Sequence, residues 1–200
     1  SRIHPYRLTC AWDALHSAVP QAVYAPGYDL KDALPRQDLI DAAVEAARGK
    51  EMVYLFAGLP DAWESEGFDR KELALPPGQT ALIEAVCRAN PNTAVLLQAG
   101  GAVELPCVPV TGGMASEVSP SGKLAETFPL TLEDTPTAGH YPAGRVAQHR
   151  EGIYIGYRFY DAARRDVRFP FGHGLSYTTF HYDGLQIEAK DEDCWLVRCR

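Results

Sequence analysis

A layered α/β sandwich with a mostly parallel sheet is the fold predicted by this 200-residue sequence. Two amphipathic helical stretches alternate with two short, β-rich apolar runs. That order and spacing call for right-handed parallel crossovers, with helices covering both faces of the sheet. The third observation is a change of character after Thr127, where proline, glycine and aromatic residues dominate through Tyr177.

The elements follow in chain order. Trp12 to Ala18 reads as a short helix, and Ala22 to Ala25 as a strand after it. In RQDLIDAAVEAAR, Arg36 to Arg48, the residues Leu39, Ile40, Ala43, Val44 and Ala47 fall on one helical face. EMVYLFA, Glu51 to Ala57, is short, β-branched and aromatic, and predicts a buried strand. Pro76 and Pro77 open a second helix that runs to Ala89, with Leu82, Ile83 and Val86 facing inward. TAVLLQ, Thr93 to Gln98, repeats the buried-strand pattern. Beyond Thr127 the composition predicts long ordered loops and hairpins. From Thr178 the sequence alternates like antiparallel strands around a charged turn at Lys190 to Asp193.

Composition sets the class. A hydrophobic share of 46% with 22% charged residues is that of a soluble globular chain with a sizeable core, enough for one domain and a short appendage. The longest apolar runs, MVYLFAGLP among them, fall far short of the ~20 residues of a membrane span. A formal net charge of −7 argues against a nucleic-acid partner, which would favour a basic face. The cysteines (Cys10, Cys87, Cys107, Cys194 and Cys199) are odd in number and form no CxxC pair. With no histidines at zinc spacing, neither a metal site nor a cofactor is expected. Cys87 falls on the apolar face of its helix as a small buried hydrophobe. A reducing compartment fits, and the expected location is the cytoplasm.

The residues with the strongest chemical potential lie in the loop after the first apolar strand, GLPDAWESEGFDRKELALP. It gathers Asp61, Glu64, Glu66 and Asp69 around Trp63 and Phe68. Ligands of open α/β sheets bind beyond the carboxyl ends of the strands, where this loop lies. A carboxyl that donates a proton near neutral pH needs apolar neighbours or like charges to hold it protonated. Trp63, Phe68 and the clustered acids offer both. By spacing alone, however, such a loop is more often solvated and inert, and spacing does not separate Glu64 from Glu66.

Other segments carry weaker signals. Gly100-Gly101 in QAGGAVELP suggests a phosphate cradle, but both phosphate-loop patterns are absent. His173 in FPFGHGLSY reads as structural, fixing a turn between two aromatic strands. No serine sits in a G-x-S-x-G elbow. Tyr154, Tyr157, Phe159, Tyr160 and Phe171 suit packing for the most part, with one or two placed to stack on a sugar near a substrate entrance.

Three segments, taken together and in order, carry a family resemblance: WESEGFDR at Trp63 to Arg70, SPSGKLAETFP at Ser119 to Pro129, and EGIYIGYRFYDAARRDVRFPFGHGLSYTTF at Glu151 to Phe180. The chain from Ser1 to about Tyr182 resembles the C-terminal region of glycoside hydrolase family 3. The resemblance implies the acid/base-bearing domain of a retaining, exo-acting β-glycosidase of β-glucosidase type, acting on an oligosaccharide or β-glycoside substrate. In the W-x-x-E-G-x-D-R pattern of that family the glutamate before the glycine is the general acid/base, here Glu66. Trp63, Glu64 and Tyr154 become candidate substrate-binding residues, and Asp69 and Arg70 orient the loop. The boundaries implied are an α/β domain over 1–177 and, over 178–200, the first two strands or so of a fibronectin-type-III-like β-sandwich.

The resemblance also implies a missing half. Retaining hydrolysis needs two carboxyl groups, and the family carries its nucleophilic aspartate on a preceding (β/α)₈ barrel of typically about 250 residues, which nothing here resembles. A barrel supplied in cis or in trans is therefore the expected partner, and the chain by itself is expected to be inactive. One stretch departs from the family pattern: CVPVTGGMASEV stands where a helix, a tryptophan-containing strand and a Gly-Gln-x-Gly-Gly turn are usual. The alternative expectation is a non-catalytic carbohydrate-binding or interaction domain on the same scaffold.

Overall fold

A computed structural model describes residues 6–105, 122–141, 146 and 148–200 of the chain. The centre is a βαβ unit. Strand β1 (Val53–Gly58) and strand β2 (Thr93–Gln98) run parallel in unbroken register, from Val53 opposite Thr93 to Gly58 opposite Gln98. Helix α3 (Pro77–Ala89) makes the crossover between them, with proline at its first turn, where a missing N–H costs nothing. Helix α2 (Gln37–Ala47) precedes β1. Ile40 and Ala47 from α2, Leu82, Ile83 and Val86 from α3, and Leu55 and Ala57 from β1 form one buried cluster with Leu75, Val103 and Phe128.

The predicted parallel pair is present, and its limits are narrower than expected. Both helices serve the sheet face that carries Leu55 and Ala57. Tyr54, Phe56 and Leu96 point to the opposite face; they stay half-buried and outside the cluster. Among the described residues helices thus cover one face, not two, and only two strands are parallel; the other strand pairs are antiparallel. Nor does the strand expected over 22–25 form. These residues run without strand pairing, with Val23 and Tyr24 on the surface. Pro20 and Pro26 bracket the segment, and neither has an N–H to give a ladder. Helix α1 (Ala11–Ala18) forms as predicted but buries nothing, its Trp12 ring stacking on His16 at 4.9 Å.

After Thr127 the chain forms the antiparallel pair β3 (Phe128–Pro129) and β4 (Val167–Phe169), with the Phe128 and Phe169 rings edge to face at 6.0 Å. Between them lies helix α4 (Tyr157–Ala163), which the sequence did not predict. Its aromatic-rich YRFYDAA has few strong helix formers. Burial of Tyr160 anchors it, and Arg164 in the left-handed region (φ 52°) stops it. His173 has the structural surroundings expected: its ring stacks on Phe169 at 4.9 Å and its carbonyl accepts from Leu124 N at 2.9 Å. The turn it occupies follows β4, but no strand begins at Thr178. The final hairpin, β5 (Gln186–Ala189) with β6 (Trp195–Arg198), closes through the charged turn as predicted. Its Ile187–Val197 and Ala189–Trp195 pairs share one face, while Glu188 on the other meets Lys190 and Arg198 at 3.1 and 3.4 Å. No helix among the described residues is long and apolar enough to cross a membrane. The shortened 106–119 stretch, with Cys107, lies outside the described residues.

Candidate active site

The loop leaving β1 begins where the strand can accept no side chain. A Cβ on Gly58 would run into the Gln98 carbonyl oxygen of the neighbouring strand. Pro60 O then accepts from both Trp63 N (2.8 Å) and Glu64 N (3.1 Å), winding the loop into a single turn. Ser65 and Phe68 form an antiparallel bridge, so Glu66 and Gly67 are the two residues at the tip of a tight turn. Gly67 N donates back to Ser65 Oγ at 3.3 Å. Further on, Ala74 bridges Glu104 in parallel, and Glu104 N donates to Leu73 O at 2.8 Å. The loop after β1 is thereby docked on the segment that follows β2.

The acidic residues of the loop take different positions. Glu66 is exposed at the turn tip. Glu64 is half-buried, its Oε2 accepting from Gly100 N at 2.7 Å and its Oε1 standing 3.7 Å from Arg70 Nη1. Arg70 also donates to Ala102 O (2.9 Å) and Leu73 O (3.4 Å). Asp69 Oδ2 accepts from Tyr141 Oη at 3.3 Å. Asp61 is exposed.

The aromatic neighbours do not enclose Glu66 within this chain. Phe68 is 48% exposed. Trp63 is half-buried and walls a small cavity of about 70 Å³ together with Asp29, Lys31, Asp32 and Gln79. Tyr154 lies on a separate segment, before α4, with half its surface exposed and its amide donating to Glu151 O at 2.9 Å. Trp63, Glu64 and Glu66 are thus brought onto one loop, and Tyr154 is not part of it.

Two partners of this loop escaped the sequence reading. The Gly100 amide, in a segment that suggests a phosphate cradle, instead holds an intramolecular carboxylate. The signal was present, since loops after adjacent parallel strands meet at the same end of a sheet. Tyr141 carried no signal at all. A larger cavity, about 950 Å³, lies beside β2 against Val95, Leu97, Leu124, Phe128 and Phe169, and Glu66 does not line it. No cluster of His, Cys, Asp and Glu suited to a metal ion occurs among the described residues.

Comparison with known proteins gives a consistent result. The family model described as Glycosyl hydrolase family 3 C-terminal domain matches residues 3–114. A thermostable beta-glucosidase B from Acetivibrio thermocellus is 39% identical over 214 residues, covering 96% of this chain and 28% of that protein. An exo-alpha-(1->6)-L-arabinopyranosidase from Bifidobacterium longum is also 39% identical, over 94% of this chain and 27% of its own length. Among solved structures, a GH3 beta-glucosidase from Bifidobacterium adolescentis superposes with a TM-score of 0.87 at 35% identity, covering 99% of this chain and 32% of that one. A beta-glucosidase from Kluyveromyces marxianus in complex with glucose gives 0.71 at 33% identity, over 78% and 21% of the two chains. The chain therefore spans between about a fifth and a third of the length of these relatives.

Proposed function

We propose a function from one premise: this chain belongs to glycoside hydrolase family 3, as a C-terminal domain of that family. On that premise it is the acid/base-bearing domain of a retaining, exo-acting β-glycosidase of β-glucosidase type. The observation that carries the reading is the position of Glu66. It stands exposed at the tip of a pinned turn beyond the carboxyl end of β1, in the WESEGFDR segment that resembles the family's acid/base motif.

The chemistry assigns Glu66 two steps. As an acid it protonates the glycosidic oxygen while a nucleophilic aspartate attacks the anomeric carbon. As a base it then takes a proton from the water that hydrolyses the glycosyl-enzyme. The aspartate must come within about 5–5.5 Å of Glu66, and we place it on a (β/α)₈ barrel packed over the turn, in cis or in trans. That barrel surface would also supply the apolar enclosure that Trp63 and Phe68 do not. Trp63 and Tyr154 are proposed to contact the sugar from this domain. Two relatives equally identical to this chain bear the names of a glucosidase and an arabinopyranosidase, which fits a sugar choice made largely on the barrel. Residues 178–200 are proposed as the beginning of a fibronectin-type-III-like domain, with 1–177 as the α/β domain. A structure of a longer chain with this hairpin docked on the βαβ unit would count against that division.

The test uses the enzyme assembled with its nucleophile domain. Glu66→Gln keeps the shape but carries no transferable proton, and turnover should fall by about 10²–10⁴-fold. The loss should be smaller for acidic aryl leaving groups, and azide should restore turnover by replacing the missing base. Full activity of Glu66→Gln would reject the assignment and favour a binding or interaction module. The purified chain alone should not turn over an aryl β-glucoside; measurable hydrolysis would mean that a second carboxylate of this chain acts as nucleophile.

A further inference from the structure

We infer that Glu64 is a positioning residue, which together with Gly100 and Arg70 clamps the Glu66 turn, and that it contacts neither the sugar nor the reacting atoms. The inference rests on the reading of Glu66 as the acid/base. The five residues from Ser65 to Asp69 are exposed, and the residues on either side, Glu64 and Arg70, are not. Their side chains retain 30% and 18% of their exposure and face each other at 3.7 Å. Both reach the same strip after β2: Glu64 through the 2.7 Å bond from Gly100 N, Arg70 through its 2.9 Å bond to Ala102 O. The turn is thus an arch with both feet on one support.

Gly100 fits this role. A Cβ there would lie 3.0 Å from Glu64 Oε2 and 3.1 Å from its Cδ, so a larger residue would have to displace the carboxylate. One carboxylate oxygen accepts a charge-assisted bond from the Gly100 amide and the other pairs with Arg70 at 3.7 Å, so both ends of the carboxylate are restrained. Glu64 lies two residues before Glu66, so fixing it fixes the start of the two-residue tip. An acid/base group contributes fully only when held within a fraction of an ångström of its reactive position, and a misplacement of about 1 Å can cost 10²-fold in rate.

The test has two arms. In the isolated chain, the Gly100 amide proton resonance should move with the ionisation of Glu64 during an acid titration, and Glu64→Gln should abolish that movement. An amide that ignores Glu64 would overturn the clamp, whatever Glu66 does. In the assembled enzyme, Glu64→Ala should lower kcat by roughly 10²-fold with KM nearly unchanged. Gly100→Val should give a similar loss, and the double variant should lose little more than either alone, as expected of residues acting through one contact. A raised KM with kcat retained would instead make Glu64 a sugar ligand. Azide rescue and leaving-group dependence in Glu64→Ala, with neither in Glu66→Gln, would make Glu64 the acid/base. Additive losses would separate Gly100 from Glu64 and reject the clamp.

Discussion

Gly58 and Gln79 form a reciprocal pair: Gly58 N donates to Gln79 Oε1 at 2.9 Å, and Gln79 Nε2 donates to Gly58 O at 2.8 Å. Leu59 N bonds Gln98 O on the β2 side, so Gly58 turns both of its polar groups to the opposite edge of β1. There a side-chain amide from the first turn of α3 takes the place of a neighbouring strand. Gln79 is 2% exposed, so water is a poor substitute.

Gln79→Ala should therefore cost about 2–4 kcal/mol of unfolding free energy, from two partly buried groups left unpaired. Urea denaturation followed by circular dichroism checks it. A cost below about 0.5 kcal/mol, within the range of an ordinary surface change, would mean that Gly58 finds other partners.

Asn90 fastens α2 to the end of α3. Its Nδ2 donates to Ala47 O (2.9 Å) and Lys50 O (2.8 Å), and its Oδ1 accepts from Asn92 N (2.9 Å). Replacing it with alanine leaves the Lys50 carbonyl and the Asn92 amide without these partners, and leaves Ala47 O with only its 3.3 Å bond from Lys50 N, at a cost of about 1–3 kcal/mol. Asn90→Asp should be worse than alanine at neutral pH, because an anionic acceptor then faces two carbonyl oxygens. Its deficit should shrink as pH falls and the carboxyl regains a donor. Melting temperatures of the two variants at neutral and acid pH decide the matter; an aspartate variant as stable as wild type at neutral pH refutes the donor role.

Cys87 lies on α3 beside the core, and burial pushes its thiol up from the ordinary value of 9.0. The folded chain thus favours the neutral thiol. Its contribution to stability is complete below the unfolded value and is lost as pH rises towards the folded one. Cys87→Ala should accordingly flatten the alkaline decline in stability above about pH 8. Iodoacetamide near pH 8 should modify the exposed Cys10, Cys194 and Cys199 before Cys87. Peptide mass spectrometry showing Cys87 labelled first would contradict its burial.

The βαβ unit was legible because its signals are local: a 3.6-residue apolar period in α2 and α3, and uninterrupted apolar blocks in β1 and β2. The number of covered faces was not. A run such as VYLFA fits a strand buried on both sides or one whose Tyr54 and Phe56 stay half-buried, and sequence does not distinguish them. Helix α4 was missed because burial of Tyr160, not propensity, sustains it. At the candidate site, the gathering of Glu64 and Glu66 on the loop after β1 was legible, and the tight turn that puts Glu66 at its tip was not. Gly100 as partner of Glu64 follows only from two loops meeting at one end of the sheet, and Tyr141 as partner of Asp69 has no signal, because its place depends on where a distant backbone segment arrives.

The 36-residue separation between Glu64 and Gly100 has a kinetic consequence. That contact closes only after β1, α3 and β2 have come together, since the crossover brings the two loops to one end of the sheet. Pairings so far apart in sequence form slowly, because loop-closure entropy is lost before any contact compensates for it. A chain still emerging during synthesis, with β1 formed and β2 not yet made, has no support for the turn that carries Glu66. The Glu66 turn is thus supported only once the βαβ unit has closed, and a partner surface that recognises the finished arch would engage completed domains and pass over nascent ones.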